Sequence, residues 1–130
     1  WRLESEPEQD MSPSQHWPEP VVVEPFEADR GPVLVTTEYC IRRDRREPFL
    51  HAMRQLESIR RRDGAIRWGL FEDPANPGRY LESFLVESWA EHMRQHLRVT
   101  MADKALEDAV RHYHNGPKPP AVTHWLADDE

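Results

Sequence analysis

Apolar side chains recur along the chain with two different spacings, and each spacing predicts one kind of secondary structure. Stretches rich in β-branched and aromatic residues, with apolar positions at every second residue, indicate strands. Proline and glycine at positions 74–78 are typical of a tight turn, so the strands on either side of it are expected to form an antiparallel hairpin. The four predicted strands are Val33–Ile41, Ile66–Asp73, Arg79–Glu87 and Ala121–Leu126.

Helical spacing of apolar residues predicts a first helix directly after the first strand. We expect this helix to begin between Asp44 and Pro48, because Asp44 and Glu47 resemble a capping box and proline suits the first helical turn. It is expected to end near Gly64, since glycine readily adopts the left-handed conformation that terminates helices. The stripe expected to face the core consists of Phe49, Met53, Leu56 and Ile59.

Two further helical segments are predicted between Ser88 and Gly116. Ser88 and Glu91 have the spacing of a capping box at the start of the second helix, and the helical pattern restarts at residues 100–103. The expected inward positions of the second helix are Trp89, Met93, Leu97 and Met101. The expected inward positions of the third segment are Ala105, Leu106, Ala109, Val110 and Tyr113.

The element order β-α-β-β-α-β predicts an α+β protein with a ferredoxin-like fold and an antiparallel sheet. Helices packed on such a sheet cover only one of its faces. In the third predicted strand, however, both faces carry large apolar groups, with Tyr80 and Phe84 on one face and Leu81 and Leu85 on the other. We therefore expect a second copy of the chain to cover the open face, giving a homodimer.

Charge and proline content divide the chain into two regions. Of the 130 residues, the first 32 contain eight acidic and two basic residues and six of the twelve prolines. This composition is typical of an extended linker, so we predict an acidic, proline-rich arm at 1–32 and a folded domain at 33–130. The arm would either pack on the domain in extended form or remain unfolded. Because the net charge of −7 argues against a basic face, nucleic-acid binding is not expected.

Hydropathy and cysteine content narrow the expected location of the domain. No run of apolar residues approaches the ~18 that a membrane-spanning helix needs, and no stretch has the charged start and apolar middle of a signal peptide. Cys40 is the only cysteine, so an intrachain disulfide is excluded and a reducing compartment is expected.

Four segments resemble those of known bacterial protein families. Glu87–His96 places an acid-x-Trp pattern at a strand end and a histidine two turns into the next helix. In this it resembles the antibiotic-biosynthesis-monooxygenase superfamily, whose members are dimeric α+β barrels. Together with Pro13–Pro20, Arg30–Val33 and Arg60–Ala65, the same segment resembles the C-terminal extension of the major-facilitator permeases called transmembrane secretion effectors, which are efflux proteins.

The resemblance to secretion effectors implies a role as part of an efflux transporter. A chain that begins with Trp1 would then be a domain cut from a longer permease. The acidic arm would tether it to the last membrane helix, on the cytoplasmic side of the inner membrane. The leading hypothesis is a non-catalytic accessory domain that dimerises or senses cargo. Its expected partners are a second copy and the membrane-embedded part of the same polypeptide, and no cofactor is expected.

The resemblance to monooxygenases implies a cavity between the sheet and the helices that would accept a flat aromatic ligand. His96 is the candidate catalytic residue there, as a base or as an axial haem ligand. Enzymes of this superfamily often use an asparagine on the first strand, where this chain has Thr36, Thr37 and Glu38. Two alternatives remain, a cofactor-independent monooxygenase acting on an aromatic compound and a domain that binds haem or a small aromatic ligand. The residues expected to line the cavity are Tyr39, Trp68, Phe84, Trp89, Met93, His96 and Trp125.

Two clusters of ionisable residues have simple structural interpretations. His92 and His96 are spaced i,i+4 on a helix, but no third ligand lies nearby in the sequence, so no metal site is predicted. The basic run Arg60–Arg62 falls at the end of the first helix, where positive charge complements the helix dipole. We favour this interpretation over an anion-binding site.

Three polar residues, Glu38, Glu82 and His124, lie on otherwise apolar strands. If the two glutamates were adjacent, they would be able to act as a general acid and a general base. Ion pairs with Arg67 or Arg79 across the sheet are the favoured alternative.

Overall fold

Four strands and three α-helices follow one another in the order that the sequence predicts. The computed structural model describes Val22 and residues 24–128. A short 3-10 turn, Arg43–Arg45, precedes the first helix. The elements are β1 Val33–Cys40, α1 Arg46–Arg62, β2 Arg67–Glu72, β3 Arg79–Val86, α2 Trp89–Arg98, α3 Met101–His112 and β4 Ala121–Leu126. The α+β class and the ferredoxin-like arrangement are confirmed.

The four strands form one sheet in the order β2-β3-β1-β4, and every neighbouring pair is antiparallel. Register places Val35 of β1 between Phe84 of β3 and His124 of β4. Since strand side chains alternate between the two faces, these three residues point to the same side, where the helices pack. The fully buried residues on this helix side include Val33, Val35, Phe84 and Val86.

The described end of the acidic arm packs against the start of α2. Backbone amides of Trp89 and Ala90 donate to the carbonyl oxygens of Arg30 and Ala28, at 2.8 and 2.7 Å. The ring of Phe26 meets the Trp89 ring edge-on, with centroids 5.0 Å apart. The rest of the arm, residues 1–21 and 23, lies outside the described residues, so the boundary at residue 33 stays a prediction.

The start of α1 differs from the capping box predicted there. No side chain in the described part of the chain caps α1 or the 3-10 turn before it. Asp44 accepts from Arg42 at 3.0 Å and Glu47 accepts from Arg46 at 3.1 Å, so both carboxylates are engaged by neighbouring guanidinium groups instead. The predicted helix end is confirmed, since Gly64 follows α1 with a φ of 124°.

The start of α2 shows half of the predicted capping box. The Ser88 hydroxyl accepts from the Glu91 amide at 3.1 Å, but the Glu91 carboxylate accepts from Arg94 and Arg98 instead of reaching back. A complete capping box forms one helix later, between Thr100 and Asp103, with both hydrogen bonds at 3.2 Å.

Removing the Ser88 cap is expected to destabilise the protein measurably. Ser88→Ala leaves the Glu91 amide without its acceptor, so the free energy of unfolding should fall by about 1 kcal/mol in urea denaturation. Ser58→Ala is the matched control, because Ser58 is exposed inside α1, where alanine is a better helix former. An equal loss in both variants would contradict the assignment of Ser88 as a cap.

The inward faces of α2 and α3 are more polar than predicted. Helix α2 buries His92 and Gln95, whereas Leu97 is 67% exposed. Helix α3 buries Asp103, Glu107 and Val110. The apolar stripes predicted on these two helices are therefore wrong in part, because polar side chains with partners on the sheet and on α1 occupy the inward positions.

Candidate functional site

A charged network is buried between the sheet and the helices. Arg60 of α1 donates from Nε to Oε2 of Glu82 on β3 at 2.9 Å and from Nη1 to Oε2 of Glu107 on α3 at 2.8 Å. The three side chains are only 7%, 0% and 5% exposed. Two neutral donors complete the network, Trp68 Nε1 at 2.9 Å from Glu82 Oε2 and the Tyr39 hydroxyl at 3.4 Å from Glu82 Oε1. This buried cluster thus receives one side chain from each of β1, α1, β2, β3 and α3.

Burial and charge fix the protonation states in this network. Burial raises the pKa of the Tyr39 phenol, and the Glu82 carboxylate raises it further, so Tyr39 stays a neutral donor. Burial alone would lower the pKa of the Arg60 guanidinium, but Glu82 and Glu107 outweigh it and raise that pKa. A small cavity beside the network is lined by Thr37, Tyr39, Leu56, Arg60, Glu107, Arg111 and Val122.

The proposed acid–base pair of Glu38 and Glu82 is wrong, because the two carboxylates lie on opposite faces of the sheet. Glu82 points to the helix side and pairs with Arg60. Glu38 lies on the other face, where Arg79 Nη2 donates to it at 3.0 Å. The alternative of ion pairs is therefore confirmed, with Arg79 as the partner of Glu38, although the partner of Glu82 comes from α1 and not from the sheet.

The basic run at the end of α1 has the structural role that the sequence favours, but through ion pairs. Arg60 is buried in the network described above. Arg61 Nε donates to Glu57 at 3.0 Å, and Arg62 Nη2 donates to Asp103 at 2.7 Å. All three guanidinium groups are thus engaged by carboxylates of the domain itself.

A second cluster on the helix side consists of histidines. The ring of His92 on α2 lies 4.9 Å from the ring of His96 and 4.8 Å from that of His124 on β4, measured between centroids. Trp89 packs against His92 and His124. His92 is fully buried, and its Nδ1 forms a hydrogen bond of 3.2 Å with Gln95 Oε1. Burial, together with the neighbouring histidines, lowers the pKa of His92 to about 4, so His92 is neutral at pH 7.

The described residues around the histidine cluster do not form a metal centre. Across residues 24–128 and Val22, no group of three or more His, Cys, Asp or Glu side chains is placed to hold a metal ion.

The residues predicted to line an aromatic cavity are distributed over several packed regions. Tyr39 belongs to one core cluster and Phe84 to the other, and Trp68 packs against both. Trp89 and His96 belong to the histidine cluster. Met93 is half-buried on the same helix. The structure therefore brings Trp89 and His96 near each other through His92, while Tyr39 and Trp68 meet at Glu82.

Trp125 does not belong to this set. It is 56% exposed on the face of the sheet opposite the helices, so its assignment to a cavity on the helix side is wrong. The strand β4 presents His124 to the helices instead, and successive strand residues must point to opposite faces.

The face of the sheet opposite the helices carries exposed apolar side chains beside the Glu38–Arg79 ion pair. Register aligns Trp125, Leu34 and Leu85 in one row across β4, β1 and β3. A second row aligns Leu81 with Phe71. Between the rows lie small side chains, Thr123, Thr36, Ser83 and Gly69. We call this surface the open sheet face; its two largest side chains, Phe71 and Trp125, are 59% and 56% exposed.

Sequence reasoning missed Glu107 and the roles of Arg60 and His92. A signal for Glu107 exists, because Asp103, Glu107 and Val110 follow the i, i+4, i+7 spacing of an inward face. The complementary signal is on α1, where Arg60 and Arg62 carry the charge opposite to that of Glu107 and Asp103. A prediction that counts only apolar residues misses such inward positions, because their side chains are charged.

Comparison with protein families identifies one that covers the whole chain. The family model for the transmembrane secretion effector matches residues 1–130. No match was found among the curated proteins. No helix in the described part of the chain is both long enough and apolar enough to cross a bilayer.

Several solved structures share the fold. A putative antibiotic biosynthesis monooxygenase from Caulobacter crescentus CB15 superposes with a TM-score of 0.66 at 16% identity, covering 78% of this chain and 94% of that one. One from Bordetella bronchiseptica gives 0.63 at 19% identity, covering 76% and 99%. One from Nitrosomonas europaea gives 0.61 at 15% identity, covering 80% and 95%. At these identities the likeness establishes the fold alone. The chain belongs to the transmembrane secretion effector family, and its domain has the fold of the antibiotic biosynthesis monooxygenases.

Proposed function

We propose that this chain is a non-catalytic accessory domain of an efflux permease, held at the cytoplasmic side of the membrane, and that it pairs with a second copy of itself. The observation that carries the proposal is the open sheet face, where Leu34, Phe71, Leu85 and Trp125 present apolar surface to solvent. Contiguous apolar patches of this kind mark interaction sites. Membership of the secretion effector family supplies the transporter context.

A second copy of the chain is the occupant that fits this surface. Large apolar side chains stand in two rows that also contain Arg67 and Glu38, with a band of small residues between the rows, so two such faces can interlock around a two-fold axis. Packed sheets lie ~10 Å apart, a distance that Trp125 and Phe71 of the two copies can fill. The self-complementary form of the patch favours pairing between copies over a flat surface of another protein.

A non-catalytic role is supported by the state of the polar groups on the helix side. Arg60 pairs with both Glu82 and Glu107, and the donors of Trp68 and Tyr39 are directed at Glu82. A catalytic group needs a free orbital or proton facing a substrate. These groups are oriented toward one another, which is the arrangement of a structural core.

The sedimentation mass of the chain at micromolar concentration tests this proposal. The mass is expected to be about twice 15.4 kDa for the wild type. In Trp125→Asp, a charge in the apolar row should shift the mass to that of one chain, because the face would then bury an unpaired carboxylate.

Leu97→Asp is the matched control for this shift. Leu97 is 67% exposed, comparable to Trp125, but it lies on α2, away from the open sheet face. It should leave the dimer intact. A wild-type mass of one chain, or equal loss of association in both variants, would overturn the proposal.

The fold likeness to proteins named as putative monooxygenases favours one alternative, a cofactor-independent monooxygenase that acts on an aromatic compound. Oxygen uptake in the presence of aromatic polyketides or quinones tests it, with His96→Ala as the variant that should abolish turnover. Haem titration followed by tryptophan fluorescence tests the binding of haem or another aromatic ligand. Turnover in the wild type that disappears in His96→Ala would replace the accessory role by catalysis.

A further inference from the structure

A cavity lined by arginines opens where β1 leads into α1. We propose that this cavity, which we call the arginine cavity, binds a phosphate group. It measures about 260 Å³ and is lined by Ile41, Arg42, Arg43, Arg46, Glu72, Pro77, Gly78 and Tyr80. Since a water molecule occupies ~30 Å³, this volume holds a phosphate group with several waters. The inference does not depend on the dimer proposed above, because the cavity lies at the end of the domain formed by the β2–β3 turn and the start of α1.

The charge of the arginine cavity is positive. Three guanidinium groups line it, and Glu72 is the only carboxylate among its lining residues, so the lining carries a formal charge of +2. Glu72 Oε2 accepts from the Gly78 amide at 3.1 Å, which ties that carboxylate to the turn. Asp44 and Glu47, outside the lining, pair with Arg42 and Arg46 at 3.0 and 3.1 Å, so Arg43 contributes the positive charge that an anion would neutralise.

Arg43 is the guanidinium group best placed to take up a ligand. It is exposed and makes no ion pair with any residue that the structure describes. This contrasts with the arginines at the other end of α1, each of which meets a carboxylate at 3.0 Å or less. Within the described ranges, Arg42 pairs only with the exposed Asp44, at 3.0 Å, and exposed pairs of this kind contribute little.

Tyr80 supplies a buried polar group at the wall of the cavity. The residue is only 4% exposed, and its hydroxyl oxygen accepts from Arg46 Nε at 2.9 Å. No side chain or carbonyl within the described ranges accepts the hydroxyl proton of Tyr80. That proton is available to an anion oxygen in the cavity, and the same hydrogen bond orients Arg46 toward it.

The start of α1 adds to the preference for an anion. The amide end of a helix carries a partial positive charge, and this one has no side-chain cap within the described chain. Asp44 and Glu47, which the sequence suggested as caps, are drawn to Arg42 and Arg46 instead. Arg46, the first residue of α1, lines the arginine cavity, so the positive end of the helix dipole lies beside it.

Phosphate suits this lining better than a carboxylate does. Guanidinium groups donate two parallel hydrogen bonds to pairs of oxygens, and phosphate presents such pairs on several sides at once. The three arginines lie where β1 leads into α1, and the Tyr80 phenol lies on β3. Each group can therefore donate to a different oxygen or edge of the phosphate. The phosphate can come from inorganic phosphate, a phosphate monoester or the headgroup of an anionic lipid.

Titration with inorganic phosphate, followed by amide chemical shifts, is the first arm of the test. Amides of Arg43 and Gly78 should shift with a Kd of about 1 mM, and the affinity should fall as salt is added. The second arm is co-sedimentation with phosphatidylcholine vesicles with and without phosphatidic acid. Binding in the first arm assigns a soluble phosphate, and binding only to the phosphatidic acid vesicles assigns a lipid headgroup.

Variants make the test specific to the arginine cavity. Arg43→Gln should weaken binding about tenfold without affecting the fold, because its side chain makes no ion pair with described residues. Arg54→Gln is the matched control, since Arg54 is exposed on α1 about 12 Å along the helix axis from Arg46, and this variant should bind as the wild type does. Asp44→Asn releases Arg42 and should strengthen binding. Absence of binding in both arms, or equal weakening in Arg43→Gln and Arg54→Gln, would overturn the proposal.

Discussion

Replacing Arg60 by methionine is expected to lower the free energy of unfolding by about 3–5 kcal/mol, the largest loss that we predict for a single substitution. The change removes the guanidinium group that joins Glu82 and Glu107, at 2.9 and 2.8 Å. Both carboxylates then remain buried and repel each other. Urea denaturation at pH 7 measures the loss.

Two further variants separate the loss of charge pairing from a general effect of removing arginine. Arg61→Met removes the next arginine along α1, which forms an exposed pair with Glu57, and should cost less than about 1 kcal/mol. The triple variant Arg60→Met, Glu82→Gln, Glu107→Gln should recover part of the lost stability, because amides keep acceptors for Trp68 and Tyr39 without buried charge. A triple variant less stable than Arg60→Met would contradict the explanation by uncompensated charge.

Lowering the pH from 7 to 4 is expected to cost up to about 3 kcal/mol of stability through His92 alone. Burial and the adjacent His124 and His96 lower the pKa of His92 from 6.5 to about 4 in the folded state. The unfolded chain therefore binds a proton at a higher pH than the folded one does. The contribution is fully present above pH 6.5 and is lost as the pH falls toward 4. Urea denaturation at pH values between 4 and 7.5 measures this slope.

His92→Gln should flatten the dependence of stability on pH between 6.5 and 4. Glutamine does not titrate, and it still offers a hydrogen bond to Gln95, which the ring of His92 meets at 3.2 Å. His51→Gln is the matched control, because His51 is exposed on α1 and its loss should leave the slope unchanged. A wild-type slope retained in His92→Gln would assign the acid sensitivity to other groups.

Sequence patterns predicted the order of the elements because that order depends on short-range signals. The two spacings of apolar residues separated strands from helices, and the turn before Gly78 joined β2 to β3 as expected. The alternation along β3 correctly placed Tyr80 and Phe84 opposite Leu81 and Leu85. Each of these signals acts within a few residues, so neighbouring side chains suffice to reveal it.

The candidate sites were harder to predict from the sequence, for two physical reasons. The partners of Arg60 are 22 and 47 residues away, and only the packing of α1 and α3 against the sheet brings the charges together. The short strand β4 carries both His124 and Trp125. A prediction from hydrophobicity alone therefore assigned Trp125, and not His124, to the inward face. In the structure, His124 packs against His92 and Trp89, and the period of two then places Trp125 on the open sheet face.

The sequence by itself thus determined the ferredoxin-like order of strands and helices, the hairpin and the Ser88 cap, because local propensity and periodicity encode them. Only the tertiary structure decided which polar side chains are buried and which apolar ones are exposed. Burial of Arg60, Glu82 and Glu107 is tolerated because each meets a partner from a distant segment. That pairing exists only after the helices have packed on the sheet, so no pattern along the chain displays it.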